Sequence, residues 1–230
     1  DGERVLVGGV LQHIEEAGIH SGDSACGLPP HTLERPVVEE ICKASTELAR
    51  ALGVVGLMNA QFAVVRNRVF VLEVNPRASR TTPFVSKATG LPLARIAALL
   101  MVGRSLRALG LRQHGLTRDD VAYVAVKEAV LPFLKFPTSD VLLGPEMRST
   151  GEVMGIAPCY ESAFVKSQLA AGMELPLGGT ALFSVADVDK DGIFHAARHM
   201  RALGFQLMAT SGTWRFLNNA GLPTVRINKV

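Results

Sequence analysis

The sequence predicts an α/β protein in two parts, a larger one built around an antiparallel hairpin and a smaller one carrying a parallel sheet. Three observations predict it. Residues 56–80 read as two apolar strands, Leu57–Val65 and Val69–Asn75, joined by a short polar turn. From Ala181 onward, strand, helix, strand, helix and strand alternate at the spacing of crossover connections. Elsewhere, apolar residues recur with helical period. With 48% hydrophobic and 20% charged residues in a chain of 230, there is material for one large core or two small ones.

Taken in order, Arg4–Ile14 is a strand candidate with glycines at 8 and 9. A polar loop, Glu15–Ser24, follows it. Such a loop offers amides and hydroxyls to a nucleotide, and equally reads as a surface turn. After the Leu28-Pro29-Pro30 break, the spacing of Val37, Val38, Ile41, Cys42, Leu48 and Leu52 predicts a helix over 35–52. Pro36 lies in its first turn, Thr32 offers an earlier start, and Gly53 closes it. Beyond the hairpin, Pro83–Ala88 is expected as a short helix ending at Gly90, Leu93–Val102 as a helix buried all round, and Ser105–Leu109 as a third. Gly110–Asp120 reads as a surface connection. Ala122–Leu131 reads as a strand, Pro132–Gly144 as a loop, and Tyr160–Ala171 as an amphipathic helix. A linker at 172–179 precedes strand 181–185, helix 191–203, strand 206–209, helix 213–220 and strand 224–227. Three strands are fewer than most doubly wound domains carry, so this part is expected to be cut short. The whole reads as a piece of a longer polypeptide.

The hairpin carries the chemistry. Glu73 and Asn75 are two residues apart and share a strand face. A three-residue loop, Arg66–Arg68, would pair Val65 with Val69 and set Gln61 opposite Glu73 and Asn59 opposite Asn75. A two-residue loop would shift the register by one and divide these partners between faces. The three-residue loop is expected, because it gathers the oxygen-bearing side chains. A carboxylate flanked by amides suits a hard divalent cation, and Arg77 and Arg80 could hold an anion beside it. A polar edge strand whose acid pairs with an arginine is the plainer reading. In the smaller part, Thr210-Ser211-Gly212-Thr213 joins strand to helix. It reads either as an anion cradle or as an ordinary cap with Thr213 or Ser211 at the N-cap.

Composition narrows the classes. The 24 basic and 21 acidic side chains give +3, with no Lys/Arg block interleaved with aromatics, so no nucleic-acid partner is expected. No apolar run reaches membrane-spanning length, and no membrane partner is expected. Three cysteines, Cys26, Cys42 and Cys159, without C-x-x-C spacing read as reduced thiols of a cytoplasmic protein.

Four stretches taken together, EEAGIHSGDSA (15–25), MNAQFAV (58–64), EVNPRASRTTPFVSKATG (73–90) and GPEMRSTGEVMG (144–155), resemble the carbamoyl-phosphate synthase large chain in its C-terminal synthetase half. ALFSV, ATSGT and NKV resemble the opening of that family's methylglyoxal-synthase-like regulatory domain. The resemblance runs from the first residue to the last. It implies the C-terminal portion of an α+β ATP-grasp domain with a mainly antiparallel sheet over 1–172, then a truncated parallel α/β regulatory domain over 173–230.

The resemblance also implies roles. Gly18, Ile19, His20 and Ser21 would contact nucleotide. Gln61, Glu73 and Asn75 would bind metal, with Gln61 and Glu73 also against the nucleotide phosphates. Arg77 and Arg80 would handle the phosphoryl group and the carboxy substrate. Lys190, Thr210, Thr213 and Lys229 would hold the phosphate of an effector of UMP or IMP type. The implied cofactors are ATP, two Mg2+ or Mn2+ ions per site, and K+ as a further cation. The implied partner is a glutaminase small subunit or domain reached through the rest of the large chain. The implied reaction is ATP-dependent phosphorylation of carbamate for arginine and pyrimidine biosynthesis, with the fragment inactive alone because the family's ATP-closing subdomain precedes Asp1. Two other readings stand beside it: an ATP-grasp ligase of biotin-carboxylase type, and a non-catalytic nucleotide-binding regulatory fragment.

Overall fold

The structure, a computed structural model, describes residues 1–111, 122–133 and 140–228. They fall into two units, Asp1–Met173 and Glu174–Val230. In the first, only β1 (Gln12–His13) survives of the strand expected over Arg4–Ile14. Val7 and Val10 pack instead with Val37 and Ile41, burying their side chains without a ladder. β1 pairs with β2 (Cys26–Leu28), a three-residue strand too short to carry a period. α1 (Arg35–Ala51) has Pro36 in its first turn and ends at Leu52. Val37 and Ile41, one turn apart, bury against Phe62, Val64 and Val69 of the hairpin.

That hairpin is β3 (Asn59–Val65) and β4 (Arg68–Asn75). Val65 pairs with Arg68, so the loop is two residues and not three. Arg66 and Asn67 stand at φ +50° and +62°, the doubly left-handed turn whose twist matches that of the strands. The ladder then shifts by one residue between Gln61 and Phe62: Phe62 faces Val71, and Gln61 faces Glu73, leaving Leu72 as a bulge. Asn59 faces Asn75. The expected pairing is therefore present, reached by a short turn and a bulge. Arg66 adopts a conformation that disfavours a long L side chain. Arg66→Asn is expected to stabilise the unit by about 0.5–1 kcal/mol, since asparagine tolerates positive φ. An unchanged denaturation midpoint would refute this.

α2 (Thr81–Thr89) buries Phe84, Val85 and Ala88 and ends at Gly90, which takes φ +73° as a left-handed cap. α3 (Leu93–Met101) buries one face only, Ile96, Ala97 and Leu100, whereas Met101 is exposed, correcting the all-round burial expected. Ser105–Leu109 forms a turn closed by Leu109 N donating to Ser105 O and Ala108 N donating to Ser105 Oγ, too short to propagate as a helix. Most of the connection expected at 110–120, and part of the loop at 132–144, lie outside the described residues. β5 (Val124–Val130) and β6 (Gly151–Ala157) complete an antiparallel sheet in the order β1-β2-β5-β6. α4 (Tyr160–Ala170), the helix expected over Tyr160–Ala171, lies on it through buried Ala163 and Ser167, with Tyr160 and Phe164 packed beside them. Among the described residues no single helix is long and apolar enough to cross a membrane.

The second unit keeps the predicted alternation. β7 (Thr180–Phe183), α5 (Lys190–Ala202), β8 (Gln206–Thr210), α6 (Ser211–Asn219) and β9 (Val225–Ile227) form a parallel sheet in the order β7-β8-β9. Phe183, Ala197, Leu207, Ala209, Leu217 and Leu222 make its core. Leu217 is fully buried, a contribution of about 2–3 kcal/mol. An antiparallel first unit and a parallel second one bear out the α/β expectation.

Candidate functional site

The bulge at Leu72 puts Gln61, Glu73, Asn59 and Asn75 on one face of the hairpin, and that face borders a cleft of about 780 Å³. Gly18, Ile19, His20, Ser21, Arg77 and Arg80 line the same cleft. Asn75 Nδ2 donates to Glu73 Oε1 at 3.0 Å, and Gln61 Nε2 donates to Ser21 Oγ at 3.0 Å. The first contact orients the carboxylate; the second ties the hairpin to the 18–22 loop. Among the described residues no three His, Cys, Asp or Glu side chains gather as a ligand set, so a cation here would draw on amide oxygens beside the single carboxylate. A carboxylate and two amides are all oxygen donors on one face, which fits a hard cation such as Mg2+.

The loop is held from behind. His20 N donates to Gly144 O at 2.8 Å, and His20 Nδ1 accepts from Gly22 N at 3.0 Å, so a neutral ring carries its proton on Nε2. Asp23, buried, accepts from Arg148 N at 2.7 Å and Ser149 N at 2.8 Å, one bond to each carboxylate oxygen. Burial opposes the charged form, but the hydrogen bonds from Ser149 and Arg148 outweigh it and hold Asp23 below its ordinary range. A depressed native pKa gives stability that is full above the unfolded value near 3.8 and is lost as pH falls through the lower native value. Asp23→Asn is therefore expected to lower stability by about 1–3 kcal/mol at neutral pH. It should also flatten the acid limb of the stability curve, measured by denaturant midpoints from pH 7 downward.

The two arginines part ways. Arg77 Nη1 bonds the neighbouring Ala78 carbonyl at 3.0 Å and remains exposed. Arg80 reaches inward to the 144–150 loop: Nη1 lies 3.1 Å from Ser149 Oγ and 3.3 Å from Ser149 O, and Nε is 3.9 Å from Glu152 Oε1. That glutamate oxygen is buried, accepts no hydrogen bond among the described residues, and also lies 3.6 Å from Lys127 Nζ. Lys127, fully buried on β5, donates to Ser21 O at 3.0 Å. Sequence reasoning singled out neither Lys127 nor Glu152. Lys127 sits in a segment read as an apolar strand, where a charge was the available signal, whereas Glu152 sits in the polar stretch 144–155, which was not read as a strand. Around this lysine, burial followed by the ammonium charge lowers the His13 pKa, burial raises those of Glu15 and Glu128, and burial pushes the Cys26 thiol up to about 12.

In the second unit, Thr210 is the N-cap of α6, with extended φ −68° and ψ 154° and no side-chain capping bond. This corrects the expectation of Ser211 or Thr213. Thr210 Oγ1 donates to Ser184 Oγ at 3.1 Å, and Thr213 Oγ1 accepts from Val185 N at 3.3 Å. Lys190 Nζ is 2.5 Å from Asp187 Oδ1, and a Cβ on Gly212 would lie 3.4 Å from that ammonium. Lys190 thus stands at the N-terminus of α6. Lys229 lies outside the described residues.

Residues 6–109 match the family described as carbamoyl-phosphate synthase L chain, ATP binding domain. Residues 192–230 match the MGS-like domain family. Over 226 residues, 98% of this chain and 20% of the relative, the sequence is 54% identical to the carbamoyl phosphate synthase large chain of Myxococcus xanthus. It is 54% identical to that of Mesorhizobium japonicum over 232 residues (100% of this chain, 20% of the relative) and 54% identical to that of Archaeoglobus fulgidus over 231 residues (100% and 21%). The resemblance carried by the four motifs is thus shown along the whole chain. The chain spans about one fifth of the length of these curated relatives. Among solved structures, the biotin carboxylase domain of a single-chain bacterial carboxylase is similar at TM-score 0.42 and 22% identity, over 46% of this chain and 25% of that one.

Proposed function

We propose that the chain is part of the large subunit of a glutamine-hydrolysing carbamoyl-phosphate synthase. In this reading residues 1–172 are the C-terminal part of an ATP-grasp domain that phosphorylates carbamate with ATP, for arginine and pyrimidine biosynthesis in the cytoplasm. Residues 173–230 begin a methylglyoxal-synthase-like effector domain. One observation carries the reading: Gln61 opposite Glu73 and Asn59 opposite Asn75, beside Arg77 and Arg80, in a chain similar from end to end to such large chains.

Gln61, Glu73 and Asn75 would hold Mg2+ or Mn2+. When bound, the cations would neutralise charge between the β- and γ-phosphates. The remaining steps fall to the chain itself. Gly18, Ile19, His20 and Ser21 bind the nucleotide; Gln61, bonded to Ser21, keeps that loop in register with the phosphate-facing carboxylate. Arg80, anchored by Ser149, offsets charge on the transferring phosphoryl group, and exposed Arg77 aligns the carboxylate of carbamate. Phosphoryl transfer of this kind needs positioning and charge neutralisation more than a covalent nucleophile, and none is required here. In the second unit Lys190, Thr210, Thr213 and Lys229 would hold the phosphate of a UMP- or IMP-type effector at the N-terminus of α6. The glutaminase and K+ belong to the same proposal through the rest of the large chain.

Calorimetric titration of the 230-residue chain with Mg-ATP and with UMP or IMP tests both sites. We expect nucleotide monophosphate binding that is abolished by Lys190→Met, and no ATP turnover by the chain alone. Measurable ATPase, or monophosphate binding indifferent to Lys190, would overturn the corresponding assignment.

A further inference from the structure

Lys127 takes no part in the chemistry just described, yet it is a primary ammonium with no solvent exposure, an environment in which a charge persists only when several groups compensate it. Two groups do so. Its Nζ donates to the carbonyl of Ser21 at 3.0 Å and lies 3.6 Å from Glu152 Oε1. Each contact leads to a different wall of the cleft. Ser21 is in the 18–22 loop, and its own hydroxyl accepts from Gln61, which faces Glu73 across the ladder. Glu152 Oε1 is the oxygen that Arg80 Nε approaches at 3.9 Å. That oxygen is buried and has no hydrogen bond among the described residues, where the two cations are what compensates it. A second path runs in parallel through Ser149, whose hydroxyl donates to Gly22 O at 2.9 Å and accepts from Arg80 Nη1 at 3.1 Å.

We infer that Lys127 is a positioning residue: by gripping the Ser21 carbonyl it fixes the peptide plane that aims the nucleotide loop at Gln61, and through Glu152 it registers that loop against Arg80. The inference rests on the functional reading above. A purely structural lysine would serve only to neutralise Glu152, and this difference is measurable. Rigidity of the loop before nucleotide arrives lowers the ordering cost of binding, so loss of the grip acts on nucleotide affinity. Neutralisation of Glu152 acts on folding stability instead.

The test uses the full-length large chain that contains this segment, with its glutaminase. Lys127→Met is compared with the double variant Lys127→Met/Glu152→Gln, which removes both charges together. The readouts are thermal midpoint, ADP affinity by calorimetry, and KM against kcat for phosphorylation of ADP by carbamoyl phosphate. Expected for Lys127→Met is a lowered midpoint together with a nucleotide Kd and KM raised about tenfold, the scale of one charge-assisted hydrogen bond. The double variant is expected to regain the midpoint while Kd and KM stay high. Wild-type Kd in either folded variant would overturn the inference. If Lys127→Met does not fold, the double variant alone decides; if neither folds, Lys127 is a core residue and the inference fails. A wild-type chain that does not phosphorylate ADP from carbamoyl phosphate would refute the functional reading instead, which keeps the two failures apart.

Discussion

Glu73→Gln in the full-length large chain is expected to lower kcat for carbamoyl-phosphate formation by about a thousandfold, the scale on which a preorganised electrostatic group acts in phosphoryl or acyl transfer. The reasoning is one of charge. Glu73 is the only carboxylate on a face otherwise furnished with amides, so its replacement leaves oxygen donors without formal charge. The side chain is exposed and its one partner among the described residues is Asn75 Nδ2, a bond that glutamine can keep through its own carbonyl. The thermal midpoint should therefore stay within about 1–2 °C of wild type, as for surface changes generally. Steady-state kinetics at saturating Mg-ATP check the first claim and calorimetry the second. Near-normal turnover would remove Glu73 from the metal set and with it the functional reading of the hairpin.

The largest expected loss of stability is at Gly155. A Cβ there would stand 2.1 Å from Ala163 O and 2.5 Å from Ser167 N, both main-chain atoms of α4. No rotamer change relieves a clash with backbone, so α4 would have to lift off β6. Ala163 and Ser167 are wholly buried at this contact, and their small side chains are what allow helix and strand to approach. Gly155→Ala is expected to cost about 3 kcal/mol, at the upper end of overpacking effects, and to lower the midpoint by about 6–12 °C for a unit of this size. A shift under 2 °C would mean that α4 slides freely on the sheet, against the packing described.

Much of this was legible in the residues. The parallel unit was read almost element by element because strand and helix lengths there carry full periods, and the hairpin was read because Glu-Val-Asn ends an apolar run. What escaped has physical reasons. β2 has three residues, too few to show alternation, and β6 opens inside GPEMRSTGEVMG, where glutamate and glycines masked a strand that β5 completes through its ladder. The two-residue turn was missed because Arg66 is a poor residue for positive φ. The compensating shift was missed because Val69-Phe70-Val71-Leu72 is apolar throughout and has no alternation to interrupt. Of the site, Gln61, Glu73, Asn75, Arg77 and Arg80 could be named from type and spacing. Lys127, Asp23 and Glu152 could not, because their partners are main-chain atoms or side chains more than twenty residues away.

The surplus residue at position 72 has a consequence for how such hairpins can vary. A strand pair of the same length could hold its spare residue at the tip, in a wider loop, and run straight from there. The amide and acid side chains would meet the same neighbours in both arrangements. Tip sequence and cation-facing end are thus free to drift separately, and a change of loop type between siblings need not signal a change of chemistry.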